Sequence, residues 1–388
     1  MKQLFITTRN IISTCGELRL IKNRNTTLFE DSEIKTDYIT IVKQSRSQDP
    51  YLEDLGVGYT LKVIYYKDKS IISFIKSYLN FLGCILSMVR KREYQVICLS
   101  GLLLGPVRKI ISLLSTANIY IDVHGTLNEI IEYPKYKKII SWLLFWLYKF
   151  DLKVQLKKSN KVLVVSQALA NHLISDFNVP SGIFLIIPCG VNFREFEYDQ
   201  YFIERYKWRE RYGLDDETIV FIYSGGLSKW QKIEESIELF DFVSKSLNAK
   251  SKMIVFTSSE YFPSAKNSEV IFDRLPSSEI GNALKMGDFG FLLRDENMTN
   301  KVAFPNKFSE YIAAGVEVIL NNSIIDLCEY VEKYNLGIIY NNNFPELINY
   351  IEVSMAKRKL KINTFMEDKS LFLEKIDFKN TCKRYLEV

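Results

Sequence analysis

Histidine is nearly absent: the chain has two in 388 residues, His124 and His172. Six cysteines (Cys15, Cys84, Cys98, Cys189, Cys328, Cys382) stand far apart, with no pair at metal-ligand spacing. These scarcities exclude a structural zinc site and a disulfide-stapled scaffold, and nothing suggests an oxidising compartment. No apolar core near the N-terminus is long enough for a secretory leader. The first residues, MKQLFITTRN, read as an opening strand, so the expectation is a chain that stays in the cytosol. The longest apolar stretch, Ile71 to Val89, is interrupted by Ser73, Lys76, Ser77, Asn80 and Ser87. Those positions recur at helical spacing, which predicts an amphipathic helix and not a membrane span. Repeats and low-complexity tracts are missing too. With 47% apolar and 25% charged residues, disorder and rod-like folds are set aside.

What is present is an alternation of short apolar runs with longer helical patterns. Strands are expected at Lys2–Thr7, Tyr38–Val42, Tyr59–Tyr65, Val96–Leu99, Ile119–Val123, Val162–Val165 and Leu185–Ile187. A second series follows at Ile219–Tyr223, Lys252–Thr257, Val270–Phe272, Phe289–Leu293, Glu317–Asn321 and Gly337–Tyr340. Many are nearly pure Val, Ile, Leu and Phe, the pattern of parallel strands covered on both faces. Helices between them imply βαβ crossovers, hence two Rossmann-like, doubly wound α/β domains. The expected domains are 1–195 and 196–368, with a linker near 190–205 and a terminal helix, 369–388, packing back on the first domain. In such an arrangement ligands sit in a cleft at the carboxyl ends of the strands.

Charge is uneven. Residues 1–195 carry 26 Lys and Arg against 16 Asp and Glu (+10), whereas residues 196–388 carry 25 against 30 (−5). The basic half suits an anionic partner. No zinc-finger or RNA-binding sheet signature accompanies it, so nucleic acid is the weaker candidate beside a phosphate-bearing lipid or anionic membrane. In Lys135–Lys158 an apolar run with Trp142 and Trp146 lies between lysines, which suits peripheral contact with such a membrane. Its periodicity, apolar nearly all round, equally describes a helix buried against the sheet.

Several passages carry chemistry. Gly225 and Gly226 follow an apolar strand and precede a helix, so backbone N–H groups and the helix N-terminus can meet phosphate oxygens, with Lys229 and Lys232 close behind. An ordinary βα turn with solvated lysines has the same appearance. Glu310 opens a helix that ends near Gly315, where a carboxylate also complements the macrodipole. His124 follows a strand, and Gly125 permits the tight backbone that would expose it. His172 falls mid-helix and reads as structural. Cys15, with no histidine near it in sequence, reads as an ordinary small residue.

Four passages in order, IDVHGTLNE from Ile121, Val162 to Phe196, FIYSGGLSKWQKIEESIELF from Phe221, and Asp288 to Leu320, resemble the retaining glycosyltransferases of family 4. The likeness covers roughly residues 120–320 and is similar to the polysaccharide-assembly type, as in O-antigen or capsule synthesis. It implies the GT-B fold: two Rossmann-like domains facing across a cleft, with the donor on the second and the acceptor on the first. The implied activity is a retaining, hexosyltransferase-like transfer from a nucleotide-diphosphate sugar to a growing, lipid-linked surface glycan. It implies no cofactor and no metal. Lys232 matches the lysine that neutralises the pyrophosphate, Glu310 the glutamate that binds the ribose, and His124 the histidine that meets the donor sugar or acceptor. Gly225, Gly226, Asn306 and Lys307 are the implied donor-side residues, with Asn300 beside them and Lys229 as a substitute for Lys232. The arginine usual beside the glycines is missing, Gly226 and Leu227 standing there, and Arg294 is the candidate to supply that cation from another strand. Gly16 and Glu129 are the acceptor-side ones. The sequence departs from the pattern at Val302, where the first motif glutamate would stand, and at Glu317, where proline is usual. Two alternatives stay open: a non-catalytic nucleotide-sugar-binding subunit, and a sugar-nucleotide epimerase of the same fold.

Overall fold

The computed structural model describes residues 1–9, 16–44, 60–67, 70–91, 93–191, 200–257, 269–360 and 370–386. Asn192 and the whole connection between Arg9 and Gly16, Cys15 included, lie outside the described residues. Two compact units emerge, Met1–Pro188 with Thr381–Val388, and Cys189–Asn380.

The first unit contains β1 (Lys2–Thr7), α1 (Gly16–Ser32), β2 (Lys35–Lys43), β3 (Thr60–Tyr66), α2 (Ile71–Lys91), β4 (Val96–Ser100), α3 (Gly105–Leu114) and β5 (Asn118–Val123). It continues with α4 (Glu129–Glu132), α5 (Lys138–Leu156), β6 (Lys161–Val164), α6 (Gln167–Phe177) and β7 (Phe184–Ile186). Its seven strands are parallel, in the order β3-β2-β1-β4-β5-β6-β7. The central strands are buried on both faces, which is why Val96–Ser100 and Val162–Val164 show no polar alternation. After β6, Ser166 caps α6 by accepting from the Leu169 N–H at 3.0 Å, and Asn178 ends the helix in the left-handed region.

The second unit has α7 (Tyr201–Arg211), β8 (Ile219–Ser224), α8 (Ile233–Ser246), β9 (Ser251–Phe256), β10 (Val270–Asp273), α9 (Ser277–Leu284), β11 (Phe289–Leu292) and α10 (Met298–Lys301). Then come α11 (Asn306–Ala313), β12 (Glu317–Leu320), α12 (Ile325–Tyr334), β13 (Gly337–Ile339), α13 (Phe344–Leu360) and α14 (Ser370–Ile376). Six parallel strands run β10-β9-β8-β11-β12-β13. Phe221, at the centre of β8, stacks on Phe289 and Phe291 of β11 at 5.5 and 5.6 Å and meets Phe240 of α8 at 5.4 Å. These rings join the two middle strands to the helix that covers them.

Both sheets are doubly wound, and the order reverses between β1 and β4 in one and between β8 and β11 in the other. The boundary differs slightly from the expectation. Cys189–Val191 belong with the second unit, because Ser309 Oγ–H donates to the Cys189 carbonyl at 2.5 Å and Val191 bridges to Asp377. The terminal segment is two helices, not one. Phe372 of α14 packs among Phe308, Tyr330 and Tyr334 of the second unit. In the last helix, α15 (Phe378–Leu386), Tyr385 lies 5.2 Å from the Tyr120 ring of the first unit.

Two helices are more exposed than their periodicity suggests. α2 is long and apolar enough to cross a membrane by length and composition, yet within the unit it buries only Phe81 and Ile85. Ile71, Ile72, Ile75 and Leu79 are exposed beside the expected polar stripe. The reading of Lys135–Lys158 as a buried helix does not hold, since Trp142, Leu143, Trp146 and Phe150 are all half or more exposed.

Candidate functional site

The richest chemistry lies at the switch point of the second sheet, where β8 and β11 end side by side. β8 runs into Gly225, whose φ of 140° is closed to side chains. A Cβ there would also stand 3.0 Å from Lys307 Nζ and 3.1 Å from Gln231 Oε1. The glycine thus keeps the strand end bare in front of a buried ammonium group. Lys307 Nζ–H donates to Gln231 Oε1 at 2.9 Å, and the ammonium lies 4.2 Å from the centre of the Tyr223 ring. Tyr223 Oη–H has Gly226 O at 2.7 Å and Gln231 Oε1 at 3.0 Å as acceptors, so the turn is tied to the strand that precedes it.

Lys307 sits on α11 with Glu310, one turn apart on one helix face, and both are buried. Tyr311 fixes that helix. Its Oη accepts the Ser224 N–H at 2.8 Å, and Gly290 makes room, because a Cβ there would fall 2.5 Å from the ring. Arg294 follows β11 and is also buried. Its N–H donates to Asn321 Oδ1 at 3.0 Å, and its carbonyl accepts from Asn321 Nδ2 at 2.7 Å and Ser323 Oγ at 2.9 Å. Burial pushes the Lys307 ammonium well below its usual range; Arg294 pushes the same way and Glu310 opposes both. The environment therefore disfavours the ammonium in the free protein, and a bound anion would relieve it.

Lys232 takes the left-handed conformation (φ 47°) just before α8. Its Nζ is 3.5 Å from Asp295 Oδ1 and 3.5 Å from Glu235 Oε1. It reaches the neighbourhood of Arg294 through Asp295, the next residue in the chain. Gly225, Gly226, Arg294, Lys307 and Glu310 thus share one neighbourhood, with Lys232 at its edge. Asn306 opens α11, half-buried. Lys229 is exposed on a single 3-10 turn three residues before Lys232. The Asn300 amide donates to Asp295 O and Asn297 Oδ1, both at 3.1 Å, tying α10 to the turn before it. Glu317, at the proline position, accepts from Tyr350 Oη at 2.8 Å and Ser354 Oγ at 2.7 Å, anchoring α13. Val302 is buried apolar core. Tyr223, Gln231 and Asp295 escaped the sequence reading; the only hint was that each adjoins a residue it had singled out or lies two before the glycine pair.

In the first unit His124 follows β5 and is mostly buried. Its Nε2–H donates to Asp122 Oδ2 at 2.9 Å, and Arg24 holds both oxygens of that carboxylate, at 3.1 and 2.8 Å. Burial alone would raise Asp122, but Arg24 and His124 outweigh it and hold the carboxyl well below the usual range. An ionised Asp122 makes Nε2 the protonated nitrogen. Nδ1 is buried without a hydrogen-bond partner among the described residues. His172 is not idle: its Nε2 is 2.9 Å from Thr126 Oγ1, which also lies 2.9 Å from Asn128 Oδ1, so α6 braces the His124 loop. Glu129 is exposed in the first turn of α4, where a carboxylate complements the helix N-terminus. Gly16 opens α1. Among the described residues no three His, Cys, Asp or Glu side chains converge as metal ligands would.

No protein-family model matches the sequence, and no curated protein matches it either. Solved structures do. A glycosyltransferase from Rickettsia africae ESF-5 superposes with a TM-score of 0.71 at 14% identity, covering 100% of this chain and 97% of that one. WaaG, a glycosyltransferase involved in lipopolysaccharide biosynthesis, gives 0.68 at 12% identity, with 99% and 98% covered. Anabaena Alr3699/HepE in complex with UDP-glucose gives 0.69 at 12% identity, with 99% and 98% covered. The fold is therefore that of the GT-B glycosyltransferases, two Rossmann-like parallel-sheet domains.

Proposed function

We propose that the protein is a retaining glycosyltransferase, moving a sugar from a nucleotide-diphosphate donor to a growing, lipid-linked surface glycan at the inner face of a membrane. The observation that carries this reading is the buried Lys307 facing a bare glycine turn at the β8/β11 switch point, with Arg294 buried near it and Glu310 one turn beyond. Two cations with one carboxylate suit a diphosphate joined to a ribose: the cations take the phosphate oxygens and Glu310 accepts from the ribose hydroxyls. HepE, of the same fold, was solved with UDP-glucose and with UDP, and WaaG acts in lipopolysaccharide biosynthesis, which supports both a nucleotide-sugar donor and a glycan product.

The second unit takes the donor and the basic first unit takes the acceptor. The sugar C1–O bond to the β-phosphate breaks while C1 bonds to the acceptor oxygen on the same face. The acceptor proton passes to the departing phosphate oxygen. Arg294, Lys307 and Lys232 stabilise the charge that grows on the diphosphate, and no metal is required. His124, its ring set by Asp122, takes the role of the histidine that meets the sugar or acceptor. Donor turnover is the test, measured with and without a polyprenyl-diphosphate-linked glycan. Transfer only with acceptor supports the reading; conversion without acceptor would make the protein an epimerase, and binding without turnover a non-catalytic subunit.

A further inference from the structure

The first unit carries an apolar face that no part of that unit covers among the described residues. α5 is built into the unit on one side only. Asp151 Oδ1 accepts the Gly105 N–H of α3 at 2.8 Å, Gln155 Nε2 donates to Asp151 Oδ2 at 2.7 Å, and Leu152 and Leu156 are buried. Its other side exposes Ile139, Trp142, Leu143, Trp146, Leu147 and Phe150, a stripe at helical spacing, with Trp142 57% and Phe150 68% accessible. α2 exposes Ile72 and Leu79 as well. α3 packs on both helices, and Tyr78 Oη of α2 donates to the Leu103 carbonyl just before α3. Soluble monomers rarely leave such an apolar stripe, two tryptophans included, open to water.

Charge identifies the occupant. Residues 70–160 carry 13 Lys and Arg against 5 Asp and Glu, a net +8. Two of those five acids, Asp122 and Asp151, are buried and engaged inside the unit. Lys135, Lys137 and Lys138 precede the stripe and Lys153, Lys157 and Lys158 follow it, all exposed. A helix with cations at both ends and an apolar flank between them lies flat in a bilayer interface, its lysines reaching lipid phosphates and its indoles at headgroup depth.

We propose that α2, α3 and α5 form a docking face for an anionic lipid bilayer, entered by the flank of α5 without crossing it. The test is co-sedimentation of the full chain with vesicles of phosphatidylcholine alone or with about 30% phosphatidylglycerol, which supplies a negative surface potential. Binding should require the anionic lipid, weaken with salt, and shift tryptophan emission to the blue, since Trp142 and Trp146 are half of the four tryptophans. Replacing Lys135, Lys137 and Lys138 by glutamine should lower affinity about a hundredfold. Leu143→Glu with Phe150→Glu should abolish binding. Both positions are solvent-exposed, so nucleotide binding and thermal stability should be unchanged in that variant, which separates lost docking from lost folding. Equal binding to both vesicle types, or none, would overturn the proposal. So would a concentration-dependent dimer that the double variant dissolves, which would make the face a contact between copies. Retention in cell membranes after alkaline carbonate extraction would instead make α2 a span, and would overturn it as well.

Discussion

Lys307→Met separates what the buried ammonium does for function from what it does for stability. Methionine keeps the length and volume of the stem and removes the charge. In the free protein that charge is held in an unfavourable place, desolvated and near Arg294, with Glu310 and the contacts to Gln231 and Tyr223 as partial compensation. Removing it should therefore leave stability within about 1 kcal/mol of the wild type, since the lost cation–π and hydrogen-bond terms are of the size of the relieved desolvation. Donor binding is another matter. A unit charge about 4 Å from a phosphate is worth about 4 kcal/mol at an effective dielectric of about 20. With Arg294 sharing the diphosphate, a loss of about 2–3 kcal/mol is expected, or about 30- to 150-fold in kcat/KM for the donor. There is also a pH signature. Because Lys307 in the folded state lies below its unfolded value of about 10.4, the unfolded chain binds more protons between the two, and stability rises with pH across that window. The methionine variant should lack that rise. Urea titrations at several pH values and initial-rate kinetics on the same samples give both answers. A variant destabilised by more than about 3 kcal/mol with an unchanged donor constant would show Lys307 to be a structural strut.

Three further expectations follow from the same geometry. Lys232→Ala and Glu310→Ala should each remove most transfer while thermal melts stay near wild type; wild-type rates in either would refute its role. Gly225→Ala forces a side chain into φ 140° against Lys307, and should cost about 1–3 kcal/mol of stability together with nucleotide affinity; calorimetry with a nucleoside diphosphate would read both. Arg24→Met strands the Asp122 carboxylate, a loss of about 3–5 kcal/mol. The wild-type contribution of Asp122, whose folded value is depressed, is complete above its unfolded value of about 3.9 and fades as pH falls below it. The variant should be weakest near neutral pH and recover towards acid, which melts between pH 4 and 8 would detect.

The two parallel sheets were legible because a strand buried on both faces must be apolar throughout, as in Ile219–Ser224 and Phe289–Leu292. Glycine was informative for a similar reason: Gly225 needs a backbone that other residues avoid. Side-chain partnerships between distant segments left no such trace. Gln231 bonds Lys307 across 76 positions, and Arg24 meets Asp122 across 98, so neither pair could be read from local pattern. Asn300, in the short helix α10, and Arg294, just after β11, are both polar residues near the same strand end. Only the fold shows that the first is occupied with its own turn and the second is buried beside Lys307. Periodicity misjudged α5 because an all-round apolar helix is equally consistent with a protein core and with a surface that faces something other than water. The break between α14 and α15 lies at Asp377, whose neighbour Phe378 continues the apolar rhythm, so the pattern ran through it.

The central claim is that a diphosphate is gripped by Arg294 and Lys307 against the glycine turn. Hydrogen exchange read by mass spectrometry, with a panel of nucleoside diphosphates and their sugar esters, tests it most directly. Slowed exchange confined to peptides over residues 223–233 and 294–311 is the expected result, lost in Lys307→Met. Protection elsewhere, or saturating binding that leaves those two segments unaltered, would contradict it.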